Sequence, residues 1–120
     1  MEYQLVNVKS QSYLECLPSE EQLSSEADSL DLVAACGEYG TSRLMLHAEN
    51  LPEDFYQLKS GLAGNVLLKF SNYRLRVAAV LTPELVGQGR FREMALETNR
   101  GNQFRIFYDR QSAEDWLLSE

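Results

Sequence analysis

Cysteine, proline and glycine are scarce in this sequence, and each shortage excludes a class of protein. Two cysteines, Cys16 and Cys36, are too few for a disulfide framework or a metal knot, and both fall in apolar patterns typical of buried thiols in a reducing cytoplasm. With only three prolines and seven glycines, the chain is not a disordered or low-complexity one. We expect no membrane-spanning helix and no secretory signal, because no apolar run approaches roughly 20 residues and residues 1–4 lack a basic flank.

Positive charge is scarce as well, above all in the first half of the chain. The formal net charge is −7. Residues 1–60 carry three basic and eleven acidic groups, whereas residues 61–120 carry eight basic and seven acidic groups. An acidic chain repels phosphate backbones, so we expect no direct nucleic-acid binding. The arginines of the second half could still gather on one side of the fold: Arg74, Arg76, Arg90, Arg92, Arg100, Arg105 and Arg110.

What the sequence does contain is a regular succession of apolar segments in the order ββαβαβαβα. Strands are predicted near residues 5–8, 13–17, 44–46, 77–81 and 104–108, and helices near residues 24–37, 52–73, 91–98 and 112–118. Right-handed crossovers then require a mainly parallel sheet. The sequence predicts a single α/β domain over residues 1–120, with a mostly parallel five-stranded sheet, an antiparallel first edge strand and packed helices.

Three details of the predicted helices can be tested against a structure. The buried face of the first helix is predicted to contain Leu30, Val33, Ala34 and Gly37. The buried face of the second is predicted to contain Phe55, Leu62, Val66 and Phe70. The closing helix is predicted to have Ser112 as its N-cap.

The segment 52–73 allows two interpretations. Pro52 and the acidic residues after it are typical of a helix start, which would place Ser60 inside one continuous helix. A break at Ser60 and Gly61 would instead begin a helix there, whose free amides favour an anion. The small residues Gly61 and Gly64 are explained more simply by tight packing of the helix on the sheet.

Residues 50–74 carry a long, gap-free motif. The run Asn-Leu-Pro-Glu-Asp-Phe-Tyr-Gln-Leu-Lys-Ser-Gly-Leu-Ala-Gly, continued to Lys69-Phe70 and Asn72-Tyr73, resembles the bacterial family called domain of unknown function 4180. A second block, residues 97–101, resembles the same family, and the likeness covers about residues 25–118. Ser60 stands where threonine is usual in the family, and residues 81–82 replace its usual Gly-Asp pair. The resemblance implies no catalytic role, because the family carries no established activity.

The element order is also similar to that of sulfate-transporter and anti-sigma-factor-antagonist (STAS) domains. In those domains a serine before a glycine, between the third strand and a long helix, is phosphorylated by a partner kinase. Ser60 and Gly61 match these two positions, whereas Lys59 and Leu58 replace a serine and an aspartate. The resemblance therefore implies a regulatory candidate site made of Lys59, Ser60 and Gly61.

A second candidate site is the rim formed by residues at the strand ends. Parallel sheets bind ligands beyond the carboxyl ends of their strands. This places five polar residues at a predicted ligand rim: His47, Glu49, Asn50, Thr82 and Asp109. His47 beside a carboxylate could act as a general base, although a paired strand-end histidine explains it equally. No nucleophilic grouping or metal-ligand spacing is evident, so the sequence indicates no catalytic residue, no metal and no cofactor.

These features favour a small cytoplasmic module that binds or regulates a protein partner, with Ser60 as a phosphorylation candidate. A small-molecule-binding protein or an enzyme using the rim around His47 is the alternative. A homodimer is compatible with the sequence. The first interpretation requires an exposed Ser60, and the second requires titratable groups that converge in a cavity.

Overall fold

The computed structural model describes residues 1–119, in which the five strands occur in the predicted order and six helices stand where four are predicted. The strands are β1 (Tyr3–Val8), β2 (Gln11–Cys16), β3 (Arg43–His47), β4 (Arg76–Val80) and β5 (Phe104–Phe107). The helices are α1 (Glu26–Glu38), α2 (Glu53–Tyr56), α3 (Leu62–Asn72), α4 (Pro83–Val86), α5 (Arg90–Thr98) and α6 (Arg110–Leu117). Within this part of the chain, no helix is long and apolar enough to cross a membrane.

The five strands form one sheet in the order β1-β2-β3-β4-β5. The edge strand β1 pairs antiparallel with β2, and every other neighbouring pair is parallel. The central residues of β4, Val77, Ala78 and Ala79, are fully buried. A strand that is apolar on both sides has to be covered on both faces of the sheet. The predicted α/β architecture, including the antiparallel first edge strand, is confirmed.

The strand order determines which face each crossover helix covers. Each parallel connection moves one strand further in the same direction, and right-handed crossovers then place the connecting helices on the same face. The connecting helices α1 to α5 accordingly bury apolar residues in one core, which we call the helical face. Helix α6 follows the last strand and packs on the opposite side, which we call the α6 face.

The two faces have separate cores. On the helical face, strand residues such as Leu14, Leu44 and Val77 meet helix residues such as Val66 and Phe70. The smaller core of the α6 face consists of Tyr13, Met45, Ala78, Ala113, Trp116 and Leu117. Successive residues of a strand alternate between the two faces, so each strand contributes to both cores.

The predicted buried face of α1 is wrong. Leu30, Ala34 and Gly37 are exposed and Val33 is only partly buried, whereas the buried residues are Ser29, Leu32, Ala35 and Cys36. Apolar residues lie on several sides of this helix, so their spacing supports more than one register. The register is set by Leu32 and Cys36, one turn apart, which reach the core.

The segment 52–73 is broken rather than continuous. It contains α2, then a 3₁₀ turn over Leu58–Ser60, and then α3, which begins after Gly61. Gly61 has φ +81°, a left-handed conformation that interrupts a helix and strains any residue with a Cβ. Phe55, Leu62, Val66 and Phe70 are nevertheless all buried, as predicted, because the break preserves the apolar face.

The predicted cap of the closing helix is also wrong. Asp109, not Ser112, is the N-cap of α6, and its side chain accepts a hydrogen bond from the Ser112 amide at 2.7 Å. The Ser112 hydroxyl donates to the same carboxylate at 2.8 Å. A carboxylate at the helix start accepts a hydrogen bond from a free amide and interacts favourably with the helix dipole. The helix therefore begins three residues before the predicted position.

Both cysteines are buried and free, as their apolar surroundings predict. Burial raises the pKa of the Cys16 thiol to about 12 and that of the Cys36 thiol to about 11. A thiol with a raised pKa holds little of the reactive thiolate near neutral pH. The two residues therefore act as small apolar side chains of the helical face.

Candidate functional site

The turn before α3 presents Ser60 to solvent. The Ser60 hydroxyl donates a hydrogen bond to the carbonyl oxygen of Asp54 at 2.7 Å and accepts one from the amide of Leu62 at 3.2 Å. The next amides of the first turn, those of Ala63 and Gly64, have no hydrogen-bond partner among the described residues. Such free amides and the helix dipole favour a negative charge at this end.

Gly61 and Gly64 have different roles, and neither matches the predicted tight packing on the sheet. Gly61 is required by its positive φ, since it turns the chain from the 3₁₀ turn into α3. Gly64 is exposed, and a Cβ added there would contact nothing within 4 Å. Close packing is therefore not the reason for a glycine at position 64.

A cavity of about 300 Å³ lies beside the Ser60 turn. Its lining residues come from that turn and from the start of α5: Tyr56, Gln57, Leu58, Lys59, Gln88, Arg90 and Phe91. Two of them, Lys59 and Arg90, are cations, and no carboxylate lines the cavity. The exposed serine thus lies next to a positively charged depression with aromatic walls.

At the predicted rim, His47 and Asn50 are hydrogen-bonded to each other. The two residues make a capping box around the 3₁₀ turn Ala48–Asn50, in which the Asn50 side chain accepts the His47 amide at 2.8 Å. The Asn50 side chain also donates to the carbonyl oxygen of Leu17 at 3.1 Å. Asn50 is completely buried, so its role in this structure is to join the ends of β2 and β3.

The other predicted rim residues also lie near strand ends, but two of them are helix caps and one is exposed. Thr82 caps α4, where its side chain accepts the amide of Leu85 at 3.3 Å. Asp109 caps α6, and the hydrogen bonds from Ser112 lower the pKa of its carboxyl. Glu49 is exposed on the 3₁₀ turn. The predicted rim is thus largely a set of helix and turn caps.

The partner of His47 is a residue that the sequence analysis missed, Glu15. The carboxylate of Glu15 lies 2.7 Å from Nε2 of His47 and accepts two hydrogen bonds from Arg110, at 2.8 and 2.9 Å. A further donor, the side-chain amide of Gln4, lies at 3.3 Å. Hydrogen bonds from Arg110 are the main cause that lowers the pKa of Glu15 to about 2, against its burial. The ionised carboxylate can only accept, so the His47 ring donates its Nε2–H to it.

Arg110 extends this cluster along the first turns of α6. Its guanidinium donates to the Tyr13 hydroxyl at 2.9 Å, and that hydroxyl donates to Glu114 at 2.5 Å. Burial and the contact with Glu114 raise the pKa of Tyr13. We call Glu15, His47, Arg110, Tyr13 and Glu114 the polar cluster. It joins β2, β3 and the first turns of α6 by charge-assisted hydrogen bonds.

One signal in the sequence could have revealed Glu15. It is a charged residue between Leu14 and Cys16 in a strand, and such a residue, 4% exposed here, requires a partner. The partner, Arg110, is 95 residues away, so spacing along the chain could not identify it. Within residues 1–119, no group of three or more histidine, cysteine or acidic side chains is arranged to hold a metal ion.

The sheet order and the two unequal faces define an α/β domain in which one terminal helix covers the second face. The chain belongs to the family described as Domain of unknown function (DUF4180), whose family model matches residues 8–117. This establishes the family to which the motif at residues 50–74 points. Searches of curated proteins and of solved structures find no match to this chain.

Proposed function

We propose that this domain is a cytoplasmic binding or regulatory module that acts through a protein partner at the Ser60 turn. The observation that carries the proposal is the exposed Ser60 hydroxyl at the start of α3. The break at Gly61 leaves amides free next to it, so a phosphate on Ser60 would meet hydrogen-bond donors and the positive end of the helix dipole. The similarity of Ser60 and Gly61 to the switch residues of STAS domains supports the same interpretation.

The surroundings of Ser60 supply a surface for such a partner. Lys59 is exposed beside it, and Arg90 lies across the adjacent cavity. These cations would attract an acidic partner segment, and a phosphate on Ser60 would compete with that segment for them. Modification would therefore change the charge of the contact surface without entering the core.

The experiment compares Ser60→Asp with Ser60→Ala in the full chain. We expect both variants to fold, because the hydroxyl is exposed, and we expect them to capture different amounts of partner from a lysate of the native host. Ser10→Asp, at an exposed turn between β1 and β2, is the matched control and should capture as the unmodified chain does. Equal capture by Ser60→Asp and Ser60→Ala, or unfolding of Ser60→Asp alone, would remove the switch.

A small-molecule-binding protein or an enzyme using the rim around His47 is the second candidate. The contact between Glu15 and His47 favours it, because a carboxylate that orients an imidazole is a common arrangement for proton transfer. The best-formed cavities, of about 280 to 460 Å³, lie elsewhere on the described residues and are not lined by His47 or Glu49.

The single histidine makes this candidate testable by NMR. A mixture of metabolites that shifts the ring signals of His47 at constant pH would support a ligand at the rim. Signals that stay unchanged, together with loss of stability in His47→Gln, would assign the ring to the structure alone.

A further inference from the structure

Three arginines are placed side by side on the α6 face. Arg43 on β3 and Arg76 on β4 are direct register partners, and Arg105 on β5 is the partner of Ala78, two residues beyond Arg76. Strand alternation puts all three on the face that carries Met45 and Ala78. Like charges in directly opposed positions destabilise a sheet. Burial, followed by the charges of Arg105 and Arg43, lowers the pKa of Arg76.

No acidic group of residues 1–119 compensates this cluster by an ion pair. The described ion pairs of the chain involve other cations, such as Lys69, Arg100 and Arg110. Arg105 donates to two neutral oxygens, the Gly101 carbonyl at 2.7 Å and the Asn102 side chain at 3.2 Å.

Arg76 likewise has only neutral acceptors: Trp116 O at 2.7 Å, Ser119 Oγ at 3.0 Å and Asn102 O at 3.4 Å. The guanidinium of Arg43 makes no hydrogen bond to any described residue. The three positive charges therefore lie together without a carboxylate, in a chain whose net charge is −7.

The floor of the cluster is Trp116, which is 8% exposed. The guanidinium carbon of Arg76 lies 4.0 Å from the ring centroid, and that of Arg105 lies 5.3 Å away. Both guanidinium groups are thus within cation–π distance of the Trp116 ring. Two buried donors, Nε of Arg76 and Nε1 of Trp116, have no hydrogen-bond partner among the described residues. Buried donors without acceptors are rare in folded proteins and call for an explanation.

We propose that Arg43, Arg76, Arg105 and Trp116 form an oxyanion site that binds a single phosphate group. Guanidinium groups bind phosphate by paired, charge-assisted hydrogen bonds, and a dianion would offset the repulsion among the three cations. The negative net charge of the chain opposes long polyanions but not one small dianion held by local cations. The site lies on the α6 face, so this inference does not depend on the proposed role of Ser60.

Trp116 is the only tryptophan and therefore reports directly on this site. The experiment titrates the full chain with inorganic phosphate at constant ionic strength, with chloride as the balancing salt, and follows tryptophan fluorescence and the thermal unfolding midpoint. We expect a saturable fluorescence change and a rise of the midpoint, because a ligand that binds only the folded state stabilises it. Glycerol phosphate is titrated in parallel, and tighter binding of the ester would assign the site to phosphomonoesters rather than to free phosphate.

Two substitutions of Arg43 and one control substitution test the role of the arginines. Arg43→Gln should weaken phosphate binding at least tenfold, whereas Arg92→Gln, which removes an exposed arginine of α5, should leave it unchanged. Arg43→Lys, which keeps the charge but not the paired donors, is the second variant if Arg43→Gln does not fold, and it should weaken binding by a smaller factor.

Four outcomes of these titrations would overturn the proposal, and a fifth comes from a variant of Glu120. The four are a fluorescence change that chloride alone reproduces, no saturable change, unaltered binding in folded Arg43→Gln and Arg43→Lys, and equal weakening in Arg92→Gln. Glu120→Gln is titrated as well, because Glu120 follows Ser119 in the sequence and lies outside the described residues. Phosphate binding that occurs only in Glu120→Gln would also overturn the proposal, since the carboxylate of the chain would then occupy the arginines.

Discussion

One face of the sheet is covered by helices α1 to α5 and by side chains that are almost all apolar, whereas the other is covered by α6 alone. On the helical face the contacts are between aliphatic and aromatic groups, and strands β2 to β5 all contribute buried residues to them. On the α6 face, the polar cluster holds one end of the helix, and Arg76 with Trp116 holds the other. The same strands thus use two different kinds of interaction on their two sides.

The difference shows how a single helix can be held on a wide sheet. The apolar core of the α6 face has only six buried residues. Their burial therefore contributes a smaller hydrophobic driving force than the larger core of the helical face. Bidentate and charge-assisted hydrogen bonds add orientation, because they require a defined geometry at each end. Apolar burial therefore determines that α6 packs on the sheet, and the polar contacts determine where.

The largest expected effect tests the helical face. Leu62→Ala should lower the free energy of unfolding by about 2 to 5 kcal/mol, because it leaves a cavity in a packed core. Leu68→Ala is the matched control in the same helix, where the side chain is 57% exposed, and should cost less than about 0.5 kcal/mol. Chemical denaturation measures both, and equal losses would show that the face of α3 is assigned wrongly.

A somewhat smaller effect tests the α6 face and its dependence on pH. The pKa of Glu15 is lowered from 4.5 to about 2 in the folded state. A carboxyl with a lowered pKa contributes stability above its unfolded pKa and loses it as the pH falls toward the folded value. Glu15→Gln should therefore cost about 3 kcal/mol at pH 7, and this difference should shrink between about pH 5 and pH 2.

Denaturation curves across this pH range measure that difference. Glu2→Gln is the control, because Glu2 is exposed. Its free energy of unfolding should equal that of the unmodified chain at every pH. A penalty for Glu15→Gln that is the same at pH 7 and pH 2.5 would mean that the ionised carboxylate is not what holds α6.

The smallest expected effect tests which residue is the N-cap of α6. Asp109→Ala should cost about 1 kcal/mol, because the amide of Ser112 loses its acceptor. Ser112→Ala should cost only a few tenths of that value, since its hydroxyl donates to a cap that remains. Thermal or chemical unfolding of the two variants checks the order, and a larger loss for Ser112→Ala would restore it as the cap.

The element order and the sheet could be predicted because they depend on local patterns. The run Val77–Leu81 is apolar throughout, and alternating strands and helices permit few topologies. The register of α1 could not be predicted in the same way, since apolar residues such as Leu30 lie outside the buried face. Helix α4 was missed because only four residues, Pro83–Val86, form it.

The candidate sites were predictable only where the signal is local. The break at Gly61 was one of two interpretations, and its positive φ is a property that glycine alone adopts readily. The polar cluster could not be predicted, because it joins residues up to 101 positions apart. The sequence allowed Arg76 and Arg105 to lie on one side of the fold, but the pairing of Arg76 with Arg43 depends on the register of the sheet. His47 was found at a strand end, but its partner Glu15 is 32 residues before it.

The position of α6 also has a consequence for the order in which a ribosome would make this fold. Tyr13, Met45 and Ala78 are synthesised long before Trp116 and Leu117, which cover them. The helical face can assemble once β5 has emerged, but until then and until α6 follows, these apolar side chains and the charge of Glu15 face solvent or a chaperone. A chain that ends between β5 and α6 would therefore expose the apolar residues of one face of the sheet.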